Sequence, residues 1–354
     1  MRFPEFLKSG DTIGFAAPSY GCSIEPYRSR FDHAQEVFRQ MGHGILLGEN
    51  VYAGDGIGIS TAPDRCGAEI TDMLMNDRCQ AVLSCGGGEL MCEILKYVDF
   101  EAIEAAEPKW FMGYSDNTNL VYTLTTSCDT AAIYAPCASS FGMKPWHPAI
   151  RDAYKLLCGE KLSFSGYKRY ELDPYKDQEN PLEPYACTEK RNIIAFLPGK
   201  GILAKNEAGK AAFSGRLVGG CLDILATLCG TAYDRTAEFA EKYRDDGIIW
   251  FLEACDLNVF GIRRALWQLK NAGWFRHVRG FLIGRPLAGQ ADLYGLDHIR
   301  AVTDVLAEYG VPILLDTDIG HLPPMIPLIS GSMAAVSYSP GSDRFRIRMS
   351  LNCQ

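Results

Sequence analysis

Short apolar runs, each closed by a glycine- or proline-bearing loop and followed by a helical pattern, recur from residue 11 to about 140. This alternation limits the first half of the chain to a parallel sheet with helices packed on it. Asp11-Thr-Ile-Gly-Phe-Ala-Ala-Pro18 reads as a first buried strand leading into the loop Ser19–Cys22. Tyr27, Phe31, Ala34, Val37, Phe38 and Met41 then mark one face of a helix over 27–41, closed by Gly42. A strand at His43–Leu47, a glycine-rich loop from Val51 to Ser60 and a helix over 62–76 opened by Pro63-Asp64 follow. Ala81-Val-Leu-Ser84 is a further strand, stopped by Cys85-Gly-Gly-Gly88, with a helix expected from Glu89 to Leu95. Trp110–Met112 and Ala132–Tyr134 complete the set. In such sheets ligands bind beyond the carboxyl ends of the strands. The loops at Pro18-Ser19, Gly86–Gly88 and Gly113–Asp116 all leave such ends.

One of these loops carries a chemical signal. In Trp110-Phe-Met-Gly-Tyr-Ser-Asp-Asn-Thr118 an apolar strand breaks at Gly113, and Leu120, Val121 and Leu124 resume at helical spacing. Asp116, Asn117 and Thr118 are suitable helix caps. Ser115 therefore sits on a strand-to-helix turn, where a hydroxyl is lifted clear of the backbone with helix N–H groups behind it. Those are the needs of an acyl-transfer nucleophile, although the Gly-x-Ser-x-Gly elbow is only partly met, since position 117 is Asn. A simple capping role for Ser115 is the other reading of this stretch.

The rest of the chain narrows the classes. Residues 143–210 are punctuated by prolines and charge, with a helix at about 149–158. From Gly215 a second unit begins. Gly215-Arg-Leu-Val-Gly-Gly220 reads as a strand and tight turn, Leu222–Leu228 and Phe260–Asn271 as helices, and Gly247–Leu252, Gly280–Gly284 and Pro312–Leu315 as strands. Ala334–Tyr338 and Phe345–Met349 alternate as an antiparallel pair around Pro340-Gly341. We divide the chain into 1–165, a linker 166–210, and 211–354. A net charge of −8, with basic residues adjacent only in pairs such as Lys168-Arg169, argues against nucleic acid as a partner. The N-terminal stretch lacks an export-type apolar core and no apolar run is long enough for a bilayer, so a cytoplasmic protein without membrane association is expected. The thirteen cysteines form no C-x-x-C pair and are read as reduced core thiols. The six histidines show no metal-ligand spacing, and neither a metal nor another cofactor is expected.

A serine nucleophile needs a base and a group to hold that base. His33, His43, His147, His277 and His298 lie on or beside helices, after a helix-ending glycine, or in the proline-rich stretch. His321 alone follows a buried strand and sits in a loop fixed by Gly320 and Pro323-Pro324. Glu253 ends the most apolar strand of the second half, where a carboxylate is costly unless paired. A surface-loop histidine and a strand-end carboxylate turned to water are the plainer readings. Gly86–Gly88 lacks a phosphate-loop ending, and its glycines suit close approach to an oxyanion better. Cys85 is a weaker rival nucleophile, with no histidine or cation nearby in the sequence.

Taken together, Gly10-Asp-Thr-Ile-Gly-Phe-Ala-Ala-Pro-Ser19, Gly87-Gly88, Gly113-Tyr-Ser-Asp116, Gly215-Arg-Leu-Val-Gly-Gly220, Phe251-Leu-Glu253, Gly280-Phe-Leu-Ile-Gly284 and Gly320-His321 resemble the LD-carboxypeptidase family of serine peptidases, in the family's order over nearly the whole chain. The resemblance implies Ser115 as nucleophile, His321 as base and Glu253 as third member. It implies an oxyanion hole from the backbone N–H groups of Gly87, Gly88 and Asp116. It further implies a flavodoxin-like N-terminal domain, a smaller β-rich C-terminal domain and a homodimer. The implied reaction is hydrolysis of murein tetrapeptide before its terminal D-alanine, with a small peptide as substrate. The family's microcin C immunity branch, which cleaves peptidyl- or aminoacyl-nucleotides, is the alternative, and a small-molecule binder without chemistry is a second. Cys221 stands where family members often have Asn, and Ala254 where a polar residue is common. The segment Ala254–Phe260 lacks the lysine expected in the immunity branch, whereas the long 143–210 segment looks more like that branch.

Overall fold

A computed structural model describes residues 1–173, 177–203 and 209–351. The chain divides into two compact units, Met1–Lys161 with Tyr175–Tyr185, and Leu162–Pro174 with Ala186–Gln354.

In the first unit the parallel strands run in the order Gly44–Leu47, Thr12–Ala16, Ala81–Ser84, Trp110–Gly113, Ala132–Tyr134. Numbered along the chain this is 2-1-3-4-5, the flavodoxin-like order. Ile13, Phe15, Val82, Leu83, Trp110, Phe111 and Met112 are all fully buried, as expected of strands covered on both faces. The helix Tyr27–Gln40 buries Phe31, Ala34 and Phe38, and it stops where Gly42 turns left-handed at φ +90°. The order reverses between Thr12–Ala16 and Ala81–Ser84, so a crevice opens at their carboxyl ends. The loops after Ala16, Ser84 and Gly113 leave from that edge.

One expected helix differs in kind. Glu89–Leu95 is replaced by a 3₁₀ turn at Met91–Tyr97. The N–H groups of Glu89 and Leu90 both donate to the Gly58 carbonyl, at 2.9 and 3.3 Å, which ties the start of this stretch to the glycine-rich loop.

In the second unit a mixed sheet runs in the order Gly201–Ile202, Ile194–Leu197, Ile313–Thr317, Val278–Gly284, Ile248–Glu253, Ala211–Cys221, Met333–Ser339, Arg344–Ser350, Ser163–Phe164. The four central strands, from Ile313–Thr317 to Ala211–Cys221, are mutually parallel. Helices Leu222–Leu228, Val259–Asn271 and His298–Leu306 lie in their connections. Both flanks are antiparallel, including the expected pair Met333–Ser339 and Arg344–Ser350. The strand at Ala211–Cys221 continues through Gly219 and Gly220, where a tight turn was expected. Part of the stretch read as a linker is structural, since Ile194–Leu197 pairs with Ile313–Thr317, and Ser163–Phe164, assigned from the sequence to the first domain, forms the far edge of this sheet. This unit is therefore no smaller than the first.

Tyr175–Tyr185 returns to the first unit. There Arg30, 5 % exposed, donates through Nη2 to the Glu183 carbonyl at 2.6 Å and through Nε to the Pro181 carbonyl. Among the described residues no helix is long and apolar enough to cross a membrane.

Candidate active site

Ser115 follows the extended residue Tyr114 and has φ +65°, a left-handed conformation that costs a non-glycine residue roughly 1–3 kcal/mol. The chain turns there from the strand Trp110–Gly113 into a 3₁₀ turn, Ser115–Asn117, and then the helix Thr118–Thr126. Ser115 is not a cap; Tyr114 and Asn117 occupy the two cap positions. Its own N–H donates to Tyr134 Oη at 3.2 Å. A Cβ added to Gly87 would lie 3.1 Å from Ser115 Cβ and 3.2 Å from Ser115 Oγ, so the Gly87 backbone stands directly beside the hydroxyl.

Asn117 holds the N-cap position of the helix Thr118–Thr126 without a side-chain cap, and it and Asp116 stitch the loops together. Asn117 Nδ2 donates to the carbonyls of Gly86 and Tyr114, at 2.8 and 3.1 Å, which ties the serine turn to the glycine loop. The Asp116 carboxylate is 1 % exposed. Its Oδ2 accepts from Ser19 Oγ at 2.6 Å and from the Met91 N–H at 3.0 Å, and its Oδ1 accepts from Asn119 Nδ2 at 3.0 Å. Burial pushes this carboxyl up to about 6 even though those bonds favour the anion. All three loops at the carboxyl edge thus meet on Asp116 and Asn117. Ser19 and Asn117 were missed as positioning residues, because a hydrogen bond across 97 residues leaves no local pattern.

In the second unit Glu253 ends a fully buried strand and is itself 2 % exposed. His321 reaches it through a short, pinned loop. Asp318 is clamped by Arg285 at 2.7 Å and by the Tyr167 N–H at 2.7 Å. Gly320, at φ +103°, then lays its backbone on the glutamate; a Cβ there would come within 2.6 Å of Glu253 Oε2. His321 Nδ1 meets Glu253 Oε2 at 2.8 Å, with 11 % of the imidazole exposed. Burial pulls the imidazole down, but Glu253 and the neighbouring Cys255 thiol outweigh it and hold the ring well above its ordinary range. A second pair, His298 Nε2 with Asp316 Oδ1 at 3.1 Å, lies in the same unit. Cys85 is completely buried, and burial raises its thiol well above the usual value, which removes it as a nucleophile.

The first unit thus presents a strained serine beside a glycine backbone, and the second a histidine held by a buried carboxylate. The LD-carboxypeptidase N-terminal domain matches residues 13–135, and the LD-carboxypeptidase C-terminal domain matches residues 214–336. The chain belongs to the LD-carboxypeptidase family of peptidases. It is 27 % identical over 340 residues to a probable murein peptide carboxypeptidase of Bacillus subtilis (strain 168), covering 94 % of this chain and 91 % of that protein. It is 26 % identical over 339 residues to the microcin C7 self-immunity protein MccF of Escherichia coli, covering 94 % and 92 %. A solved structure of MccF in complex with glutamyl sulfamoyl guanosine shares the fold, with a TM-score of 0.79 at 21 % identity over 99 % of both chains.

Proposed function

We propose that the chain is a serine LD-carboxypeptidase that removes the terminal D-alanine from murein tetrapeptide, with Ser115, His321 and Glu253 as its triad. Ser115 Oγ attacks the carbonyl of the scissile amide while His321 takes the hydroxyl proton. Backbone N–H groups of Gly87, Gly88 and Asp116 hold the oxyanion. His321 then protonates the leaving amine, and water releases the acyl group from Ser115. Glu253 keeps the imidazole in one orientation and balances its charge.

The observation that carries the reading is the backbone of Ser115. Ser115 is held at φ +65° beside the bare backbone of Gly87, and such strain is concentrated where chemistry needs it. The relative named as a probable murein peptide carboxypeptidase supports the choice of substrate. In this reading the enzyme works in the cytoplasm on recycled cell-wall peptides, as a homodimer.

A second reading keeps the triad and exchanges the substrate for a peptidyl- or aminoacyl-nucleotide. It draws on the similarity to the microcin C7 self-immunity protein and on the long segment 143–210. Against it stands the absence of a lysine between Ala254 and Phe260. Incubation with murein tetrapeptide and, separately, with an aminoacyl sulfamoyl nucleoside decides the matter. Release of D-alanine supports the first reading. Turnover of the nucleoside alone replaces it with the second, and turnover of neither substrate overturns both. Light scattering on the full chain tests the dimer.

A further inference from the structure

Cys221 ends the strand Ala211–Cys221 and stands in register with Glu253 on the neighbouring parallel strand. Residues paired in this way send their side chains to the same face of a sheet. The His321 loop returns over that face. One ligand atom from each of Cys221, Glu253 and His321 lies within 4.8 Å of the other two. Cys255 adds a second thiol within hydrogen-bonding reach of His321. The Cys221 thiol also donates to Asp223 Oδ2 at 3.4 Å, and the same carboxylate accepts from the backbone N–H groups of Cys255 and Asp256.

We propose that Cys221, Glu253 and His321 form a binding site for a soft divalent cation, Zn²⁺ above all, and that occupancy takes His321 out of catalysis and switches the hydrolase off. The second half of this inference rests on His321 being the base; the first does not.

The donor set carries the argument. Zinc bonds thiolate, imidazole and carboxylate at about 2.0–2.3 Å and prefers a tetrahedral array, which places its ligand atoms roughly 3.3–3.8 Å apart. Starting from spacings of at most 4.8 Å, the donor atoms need to shift by no more than about 1.5 Å to reach that array. One thiolate, one carboxylate and one neutral imidazole cancel the charge of a divalent ion, so a filled site buries no net charge. A thiolate also excludes Mg²⁺ and Ca²⁺, which take oxygen ligands. On binding, the Cys221 S–H bond breaks, a sulfur–metal bond forms and the proton passes to solvent. His321 releases its own proton at the same time, so binding tightens as pH rises. A fourth position is left for Cys255 or water.

The test uses the full chain and Co²⁺ as probe, because cobalt reports a thiolate ligand through a sulfur-to-metal charge-transfer band in the near ultraviolet. The expected result is a saturable band in the wild type that Zn²⁺ displaces. Cys221→Ser and Cys221→Ala, each checked for wild-type thermal unfolding, should abolish it. A wild type without the band, or a band unchanged in both variants, overturns the site. In the activity assay, Zn²⁺ should inhibit the wild type reversibly by chelator, and the residual activity of Cys221→Ser should be at least about tenfold less sensitive. Cobalt binding with full activity retained under saturating Zn²⁺ overturns the switch. If the wild type hydrolyses no peptide, the absorption measurement still decides whether the site exists, so failure of the functional reading is distinguishable from failure of this one.

Discussion

His321 Nδ1 is held 2.8 Å from Glu253 Oε2, and the contact that orients the ring also retains its proton. A base must be neutral to accept a proton, so activity should rise with pH and reach half-maximum above the ordinary histidine value of about 6.5. Glu253→Gln should move that midpoint toward acid and lower kcat roughly 10³–10⁴-fold. A pH profile of kcat/KM for both proteins checks this. The sign for stability is set by the same shift. The folded value lies above the unfolded one, so the pair's contribution is complete below about pH 6.5 and is lost as pH climbs through the folded value.

Replacement of Ser115, the proposed nucleophile, separates chemistry from folding. Ser115→Ala should lower kcat roughly 10⁴–10⁶-fold, and adding His321→Ala should cost little more, because the groups act as a unit. Ser115→Gly should be equally inactive but more stable than Ser115→Ala by about 1 kcal/mol, since glycine adopts φ +65° without strain. Steady-state kinetics and thermal unfolding of the three variants read the two effects independently.

Gly87→Ala places a methyl group 3.2 Å from Ser115 Oγ. The crowding should cost about 10²-fold in kcat with little change in unfolding temperature, a loss comparable to that of one oxyanion donor. A silent substitution would mean that the glycine backbone does not face the reacting carbonyl.

The pair His298–Asp316 offers an internal control. His298 is hydrogen-bonded to a carboxylate in the same unit as His321, and Asp316, aided by Asp297, raises its ring against the opposing pull of burial. If His321 is the base, His298→Ala should change kcat less than tenfold, whereas a collapse to the level of His321→Ala would reassign the role.

Ser19 donates to Asp116, whose carboxyl titrates near 6. Ser19→Ala should destabilise the fold by about 1–3 kcal/mol, because a buried acceptor loses its partner. The loss should be larger at pH 8 than at pH 5, since the ionised carboxylate is the stronger acceptor. Urea unfolding at the two pH values tests this.

What could be read from the chain follows from how local each signal is. The central strands were legible because both faces are covered, so they appear as unbroken apolar runs such as Ile248–Leu252. Ser115 was legible because a strand, a glycine and a helix pattern abut within nine residues. Ile194–Leu197 was not, because it is a short flanking strand, only partly buried, set among prolines and charges. The 3₁₀ turn at Met91–Tyr97 was hidden for a different reason. Glu89 and Leu90 are anchored to the Gly58 carbonyl, some thirty residues earlier, a contact with no local signature. Glu253 and His321 stood out individually as a carboxylate ending an apolar strand and a histidine in a rigid loop. Their meeting depends on the Arg285–Asp318 clamp, which no spacing rule reveals.

The chain crosses from the first unit to the second at Leu162, returns at Tyr175 and crosses again at Ala186, so no single scission yields both halves intact. Cleavage near residue 165 would strip the Pro181 and Glu183 carbonyls from the Arg30 guanidinium, and cleavage after 185 would take Ser163–Phe164 from the rim of the sheet it completes. Anyone dissecting this protein into fragments should expect aggregation from either cut, and a ribosome must have made residue 185 before the half that carries Ser115 can close.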